Sequence, residues 1–252
     1  MRTRAPLAAV LALAIAGGTA AQTLPEALQQ AKKDAVSLVT IDHRPSATTV
    51  GLSLAALALL AAEDTHLSDE GQRHLPGWLD RFRVGGEVGT TDAASVALAA
   101  EGLVFHDRRG LVGGLTLFES NVLLDLVLNA SKSAFGRARP HSPHPGEFRQ
   151  GGDSFPSSHA AHAFMIAAVL DATVDRPAWR WVFYPLATGV ALARIEEGVH
   201  FPTDVAVGGL LGWWIGHRLS VAHDLVERPG KLRVSLVPVR GGACVMAHAA
   251  WP

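Results

Sequence analysis

Three short stretches of this sequence hold residue types that suit phosphate chemistry. The first is Lys132-x6-Arg139-Pro140. On one continuous helix seven residues make almost two turns, so both cations would project from nearly one face, ~10 Å apart along the axis. An Arg fork and a Lys point charge together suit a tetrahedral oxyanion. Arg137 is expected to point elsewhere. The plain alternative is a solvated basic helix end that complements the helix dipole. The second stretch is Phe155-Pro156-Ser157-Ser158-His159, which opens an apolar segment. Ser157 suits an N-cap, and the free amides that follow would form an anion site. His159 falls in that first turn, within reach of a bound phosphate or its leaving oxygen. Ordinary capping beside an incidental histidine is the alternative. The third is Arg194-x5-His200-x3-Asp204. One helical turn separates His200 from Asp204, so the carboxylate can hold one imidazole nitrogen and aim the other outward. A structural His–Asp pair has the same spacing, and Arg194 adds another anion-binding fork.

In order and internal spacing these stretches resemble the type 2 phosphatidic-acid phosphatase and vanadium haloperoxidase superfamily, over about residues 111–218. The resemblance implies His200 as a nucleophile that forms a phosphohistidine, Asp204 as its orienting partner and His159 as the proton donor to the leaving oxygen. It also implies that Lys132, Arg139, Arg194 and the amides near Ser157 and Ser158 hold the phosphoryl oxygens, with no metal. Phosphoryl transfer needs mainly positioning and charge neutralisation, which fixed cations supply. The chain departs from the family pattern twice: Ser158 stands where Gly is usual, and Ala193 where Ser is usual. The expected substrates are phosphomonoesters, lipid phosphates or isoprenoid diphosphates. A haloperoxidase carrying vanadate at the position of His200 is the enzymatic alternative. A protein that binds anions without turnover is the non-enzymatic one.

Among the 12 histidines, His141-x2-His144 and His159-x2-His162 have chelating spacings. No Cys cluster or dense carboxylate set joins them, so no metal site is expected. His162 is expected to pack on its helix or line the cleft. Cys244 is the only cysteine; it lies in an apolar stretch and reads as a packed thiol.

Helices must carry these groups. The apolar periodicity predicts helices over 24–36, 50–62, parts of 68–82, 91–104, 111 to about 138, 158–174, 179–196 and 203–226. Gly85-Gly86 and 107–110 are expected breaks, Pro140 ends the long helix, and Pro185 kinks or delays its own. Residues 141–155, rich in Pro, Gly and His, read as a loop. After Leu232 the period changes to two, and 232–251 suits a small hairpin with Pro238 at an edge or strand end. The expected fold class is all-α: a helical bundle of the type 2 phosphatidic-acid phosphatase kind with a C-terminal β-hairpin.

The start, Met1-Arg2-Thr3-Arg4, then an apolar run to Ile15 and small residues to Ala21, has the order of a secretory signal peptide. Residues 1–21 are therefore expected to be removed, leaving 22–252 as one exported, periplasmic phosphatase domain. A net charge of −1 gives no reason to invoke nucleic acid. Hydrophobic residues make up 48%, yet the apolar segments are interrupted by hydroxyls and charges. A tightly packed soluble domain is expected, with possible peripheral membrane contact and 50–62 as a candidate anchor.

Overall fold

The computed structural model describes Gln29, Val36, residues 46–174 and 176–226, and the backbone of 232–239 and 242–249. The expected signal segment lies outside these residues, as does most of the first expected helix. Among the described residues from 46 onward there are seven α-helices: α1 (Ala47–Ala62), α2 (Asp64–His74), α3 (Val88–Val104), α4 (Arg108–Phe135), α5 (Ser158–Val174), α6 (Arg180–Glu196) and α7 (Pro202–Ala222). A 3-10 segment, Gly77–Gly86, joins α2 to α3, so the stretch 68–82, expected to be helical in parts, is divided between α2 and this segment. A short 3-10 turn, Pro177–Trp179, precedes α6, and Pro185 lies inside that helix. The tail pairs as expected: β1 (Leu232–Val239) runs antiparallel to β2 (Gly242–Ala249), with Leu236 opposite Val245.

The bundle core is built from α4, α5 and α7. Leu117, Leu124 and Leu128 of α4 pack with Met165 and Val169 of α5 and Ile215 and Leu219 of α7. Between α5 and α7 the contact is backbone to backbone. Gly208, Gly212 and Gly216 recur every fourth residue, so they form one stripe on α7. A Cβ at Gly208 or Gly212 would collide with the carbonyls of Ser157 and Ala161, and one at Gly216 would lie 2.8 Å from the Met165 carbonyl. The stripe presses the start of α7 onto the start of α5, so the second and third sequence clusters meet at one end of the bundle.

The long helix ends earlier than Pro140 suggested. Gly136 adopts a left-handed conformation (φ 54°, ψ 38°) and its amide donates to the Lys132 carbonyl at 2.8 Å. Such a C-terminal Gly takes this geometry without a Cβ clash and stops the helix. Residues 136–157 then fold back on themselves, with Ala138 N donating to Glu147 O at 2.9 Å and Ser154 N to Arg137 O at 3.1 Å. Phe135, Phe148 and Phe155 pack edge to face beneath this loop.

α4 is long and apolar enough to cross a membrane despite Glu119 and Asp125, although close to half of it is buried in the bundle; α1 and α2 pass the same test together but are bent by 64°. No residue of α1 is buried.

Candidate active site

Lys132 sits in the last turn of α4. Arg139 does not share its helix face, because Gly136 has already ended the helix; it reaches the site from the loop instead. There its guanidinium forks onto Asp153, Nε to Oδ1 at 2.8 Å and Nη2 to Oδ2 at 3.0 Å. Arg139 holds the Asp153 carboxyl below the ordinary carboxylate range; burial opposes this, and Lys132 and His200 add to it. Asp153 therefore stands within electrostatic reach of two of the expected phosphate-binding cations and of His200.

Ser157 occupies the position before α5, but its buried Oγ makes no hydrogen bond. It is thus not a side-chain cap. Its amide donates to the Asp204 carbonyl at 3.0 Å, stitching α5 to α7. Ser158 opens α5, and its carbonyl lies 2.8 Å from Nδ1 of His162, so His162 packs on its own helix as expected. The other ring nitrogen of His162 is 3.3 Å from Asp125 Oδ1. His159 is half-buried. Burial, followed by Arg194, His200, His162 and Lys132, pushes its imidazole down to about 4.

Arg194 is buried at the end of α6, and its Nη1 lies 2.7 Å from Glu197 Oε2. That approach is angled so that Nε and Nη1 remain without hydrogen bonds. Gly198, at φ 66°, then reverses the chain, and the amides of Val199 and His200 both donate to the Arg194 carbonyl at 3.3 Å. This hook delivers His200 to the head of α7.

Asp204 is fully buried, three residues into α7, where a carboxylate complements the helix N-terminus. Its Oδ2 accepts from Ser154 Oγ at 2.6 Å and from the Phe201 amide at 2.9 Å; its Oδ1 accepts from Arg137 Nη1 at 2.7 Å. His200 Nδ1 is 3.6 Å from Oδ2, an ion-pair approach rather than the direct hydrogen bond the spacing suggested. The oxygen that faces the ring is already shared by two donors. Burial alone would raise the Asp204 carboxyl, but His200, Ser154, Arg137 and the Phe201 amide together pull it below the ordinary range. Burial pushes the His200 imidazole down; Asp204 opposes that shift, while Arg139 and Arg194 add to it.

The structure thus brings His159, Arg194, His200 and Asp204 together with Lys132, Arg139 and the α5 start. Sequence reasoning missed Arg137, Asp64, Ser154, Asp153 and Glu197. Gly136 was the available signal for Arg137, since a helix ended there turns the following residues inward or outward by loop geometry, not helix period. Among the described residues, no group of three or more His, Cys, Asp or Glu is placed to hold a metal ion.

The PAP2 superfamily matches residues 113–226. The chain is 32% identical over 143 residues to the decaprenylphosphoryl-5-phosphoribose phosphatase of Mycolicibacterium smegmatis, a match covering 53% of this chain and 72% of that protein. It is 34% identical over 93 residues to the bacitracin transport permease protein BcrC of Bacillus licheniformis, covering 34% of this chain and 45% of that one. With the undecaprenyl-diphosphatase of Sulfolobus acidocaldarius it shares 32% identity over 141 residues, 52% of this chain and 62% of that protein. The chain therefore belongs to the PAP2 superfamily. It spans about half to two-thirds of the length of the latter two relatives.

Proposed function

We propose that this chain is a phosphatase that releases phosphate from a phosphorylated lipid through a phosphohistidine at His200. The observation that carries the reading is one buried imidazole, backed by a buried carboxylate, at the point where Lys132, Arg139 and Arg194 converge from three elements. The imidazole nitrogen turned away from Asp204 attacks phosphorus, and the bond to the leaving oxygen breaks. His159 gives that oxygen its proton. Water then attacks the phosphohistidine, His159 accepts the water's proton, and the phosphorus–nitrogen bond breaks to release inorganic phosphate. Three fixed cations and the first amides of α5 neutralise the phosphoryl oxygens, so the scheme needs no metal ion.

A lipid substrate is supported by two features beside the relatives' names. His159, Ala163, Ala167 and Leu170 follow one another on a face of α5. The last three line an apolar cavity of about 300 Å³ together with Phe82 and Leu186. A hydrocarbon chain attached to the leaving oxygen at His159 would run directly into it. The exposed apolar side chains on α1, α6 and α7 also suit contact with a bilayer, and the signal-like order of residues 1–21 supports an exported, periplasmic location.

The test uses the purified full chain with a chromogenic phosphomonoester and a series of alkyl phosphates of increasing length. Phosphate release rises with chain length, and rapid quench traps an acid-labile, base-stable label. In His200→Ala turnover and label disappear while inorganic phosphate still binds. Turnover that survives His200→Ala overturns the reading.

A further inference from the structure

We propose that Asp64 and Arg137 are positioning residues of the active site, forming a buried strut that holds Asp204 and, through it, the orientation and charge of His200. Asp64 is the first residue of α2 and lies outside the 113–226 segment that the family covers. The inference rests on the phosphohistidine reading for its consequence in catalysis, but its geometric part stands without it.

Both residues are almost completely buried, at 3% and 6% exposure. Arg137 spends its fork on two carboxylates from different helices: Nη1 donates to Asp204 Oδ1 at 2.7 Å and Nη2 to Asp64 Oδ2 at 2.8 Å. Its Nε donates to the Gly146 carbonyl at 3.2 Å, and its plane lies 4.3 Å from the centre of the Phe201 ring. Asp64 is equally committed. Its Oδ1 accepts from the Thr203 amide at 2.9 Å, and its Oδ2 also accepts from the Thr203 hydroxyl. That hydroxyl in turn accepts from Arg137 Nη1 at 2.9 Å. The strut therefore clamps Thr203 and Asp204 from below, while Ser154 and the Phe201 amide clamp Asp204 from the side.

Charge makes the second carboxylate more than a spacer. A lone Arg137–Asp204 pair would be neutral and would offer the His200 ring little. Two carboxylates around one guanidinium leave a net charge of −1 beneath the ring, matching the positive charge that the ring acquires when phosphorylated. Burying a guanidinium against two unlike helices is costly unless every bond is made. A site that needs only a stable helix junction gains more from apolar packing. Positioning that complements charge developing during reaction gives the arrangement its use.

The experiment compares the full-length wild type with Asp64→Asn and Arg137→Lys. The first keeps the shape of the side chain but not its charge; the second keeps the charge but cannot bridge both carboxylates. Histidine ¹⁵N NMR, with His200→Gln for assignment, reads the His200 titration directly. The ring is also faced by Arg139, Arg194, His159, Asp153 and Asp204, none of which the variants alter. Expected results are a lower His200 pKa in Asp64→Asn and a mixed His200 tautomer in Arg137→Lys. With both, kcat falls ~10- to 100-fold, the size usual for partners that orient a reactive imidazole, while KM for a short ester stays within about threefold, the mark of a transition-state effect. If Asp64→Asn does not fold, Arg137→Lys carries the test. An unchanged His200 titration and tautomer, or a wild-type kcat in a folded variant, overturns the proposal. Absence of turnover in the wild type would overturn the phosphatase reading instead, and the NMR comparison would still decide the strut.

Discussion

At the scale of single residues, the depressed His159 imidazole makes the proton inventory the main question. A ring pushed down to about 4 is neutral near neutral pH, whereas the proposed scheme asks it to donate to the leaving oxygen. The proton can arrive with the substrate. Phosphate monoesters lose their second proton near pH ~6, and a bound monoanion can pass that proton to His159 as the cations draw the phosphoryl charge to themselves. kcat/KM reports ionisations of the free enzyme and free substrate. It should therefore rise as His159 deprotonates at about 4 and fall as the substrate monoanion is lost near ~6, giving an acid optimum. Two esters with different second pKa values check this: the alkaline limb must move with the ester. A limb that stays in place would assign it to the enzyme and remove the substrate from the inventory. Folding carries the same signature. The unfolded chain takes up the His159 proton near 6.5 and the folded chain only at about 4. Between those values the unfolded state binds more protons, so stability declines as pH falls through that window.

At the scale of elements, the glycine stripe on α7 decides whether the site assembles. Gly212→Leu places a side chain into the Ala161 carbonyl and should cost at least ~2 kcal/mol, in the upper part of the range for overpacked contacts. Gly51 in α1 meets nothing within 4 Å, so Gly51→Ala should add ~0.5–1 kcal/mol of helix stability. Denaturant midpoints of the two variants measure the contrast, and equal, small effects would mean that the α5–α7 seam is loose. The stripe also marks how far the sequence could be read. Element existence was legible from apolar periodicity, and α5 was legible to the residue because Ser157 and Pro156 bound it. The end of α4 was not, because Pro140 is the louder signal while Gly136 acts first. That slip carried into the site. It placed Arg139 on a helix and left Arg137 without a role, whereas in the loop Arg137 turns inward onto Asp204. Motif spacing did place His200, Asp204 and Arg194 as neighbours, since they lie within one local connection between the end of α6 and the start of α7. Asp64 was illegible for the opposite reason. It is 140 residues from Asp204 in sequence (204 − 64), and only packing of α2 under α7 joins them.

At the scale of the whole molecule, the apolar surface and the active site face a common requirement. Leu52, Leu54 and Leu59 of α1 are 62–70% exposed, Trp181 of α6 is 79% exposed, and Leu210 and Trp213 of α7 add to the same kind of surface. Large apolar side chains exposed in this way suit an interaction site in a soluble protein or a surface turned to lipid, and Trp is favoured where lipid meets water. A net charge of −1 supplies no general attraction to anionic headgroups, so contact with a bilayer must come from apolar burial. Binding to vesicles should then be the same for neutral and anionic lipids and insensitive to salt, unlike that of a polybasic protein. Burying one Leu contributes ~1.5 kcal/mol or more. Even half-burial of three makes Leu52→Ser, Leu54→Ser and Leu59→Ser together cost more than roughly tenfold in vesicle affinity. Flotation of the wild type and the triple variant with neutral vesicles reads this, alongside hydrolysis of a vesicle-borne lipid phosphate and of a soluble ester. The triple variant should lose flotation and lipid turnover while keeping the soluble ester, because none of the three residues touches the cluster around His200. Equal flotation of the two proteins, or a loss of soluble-ester turnover in the variant, would show that α1 serves the fold and not the approach to a membrane.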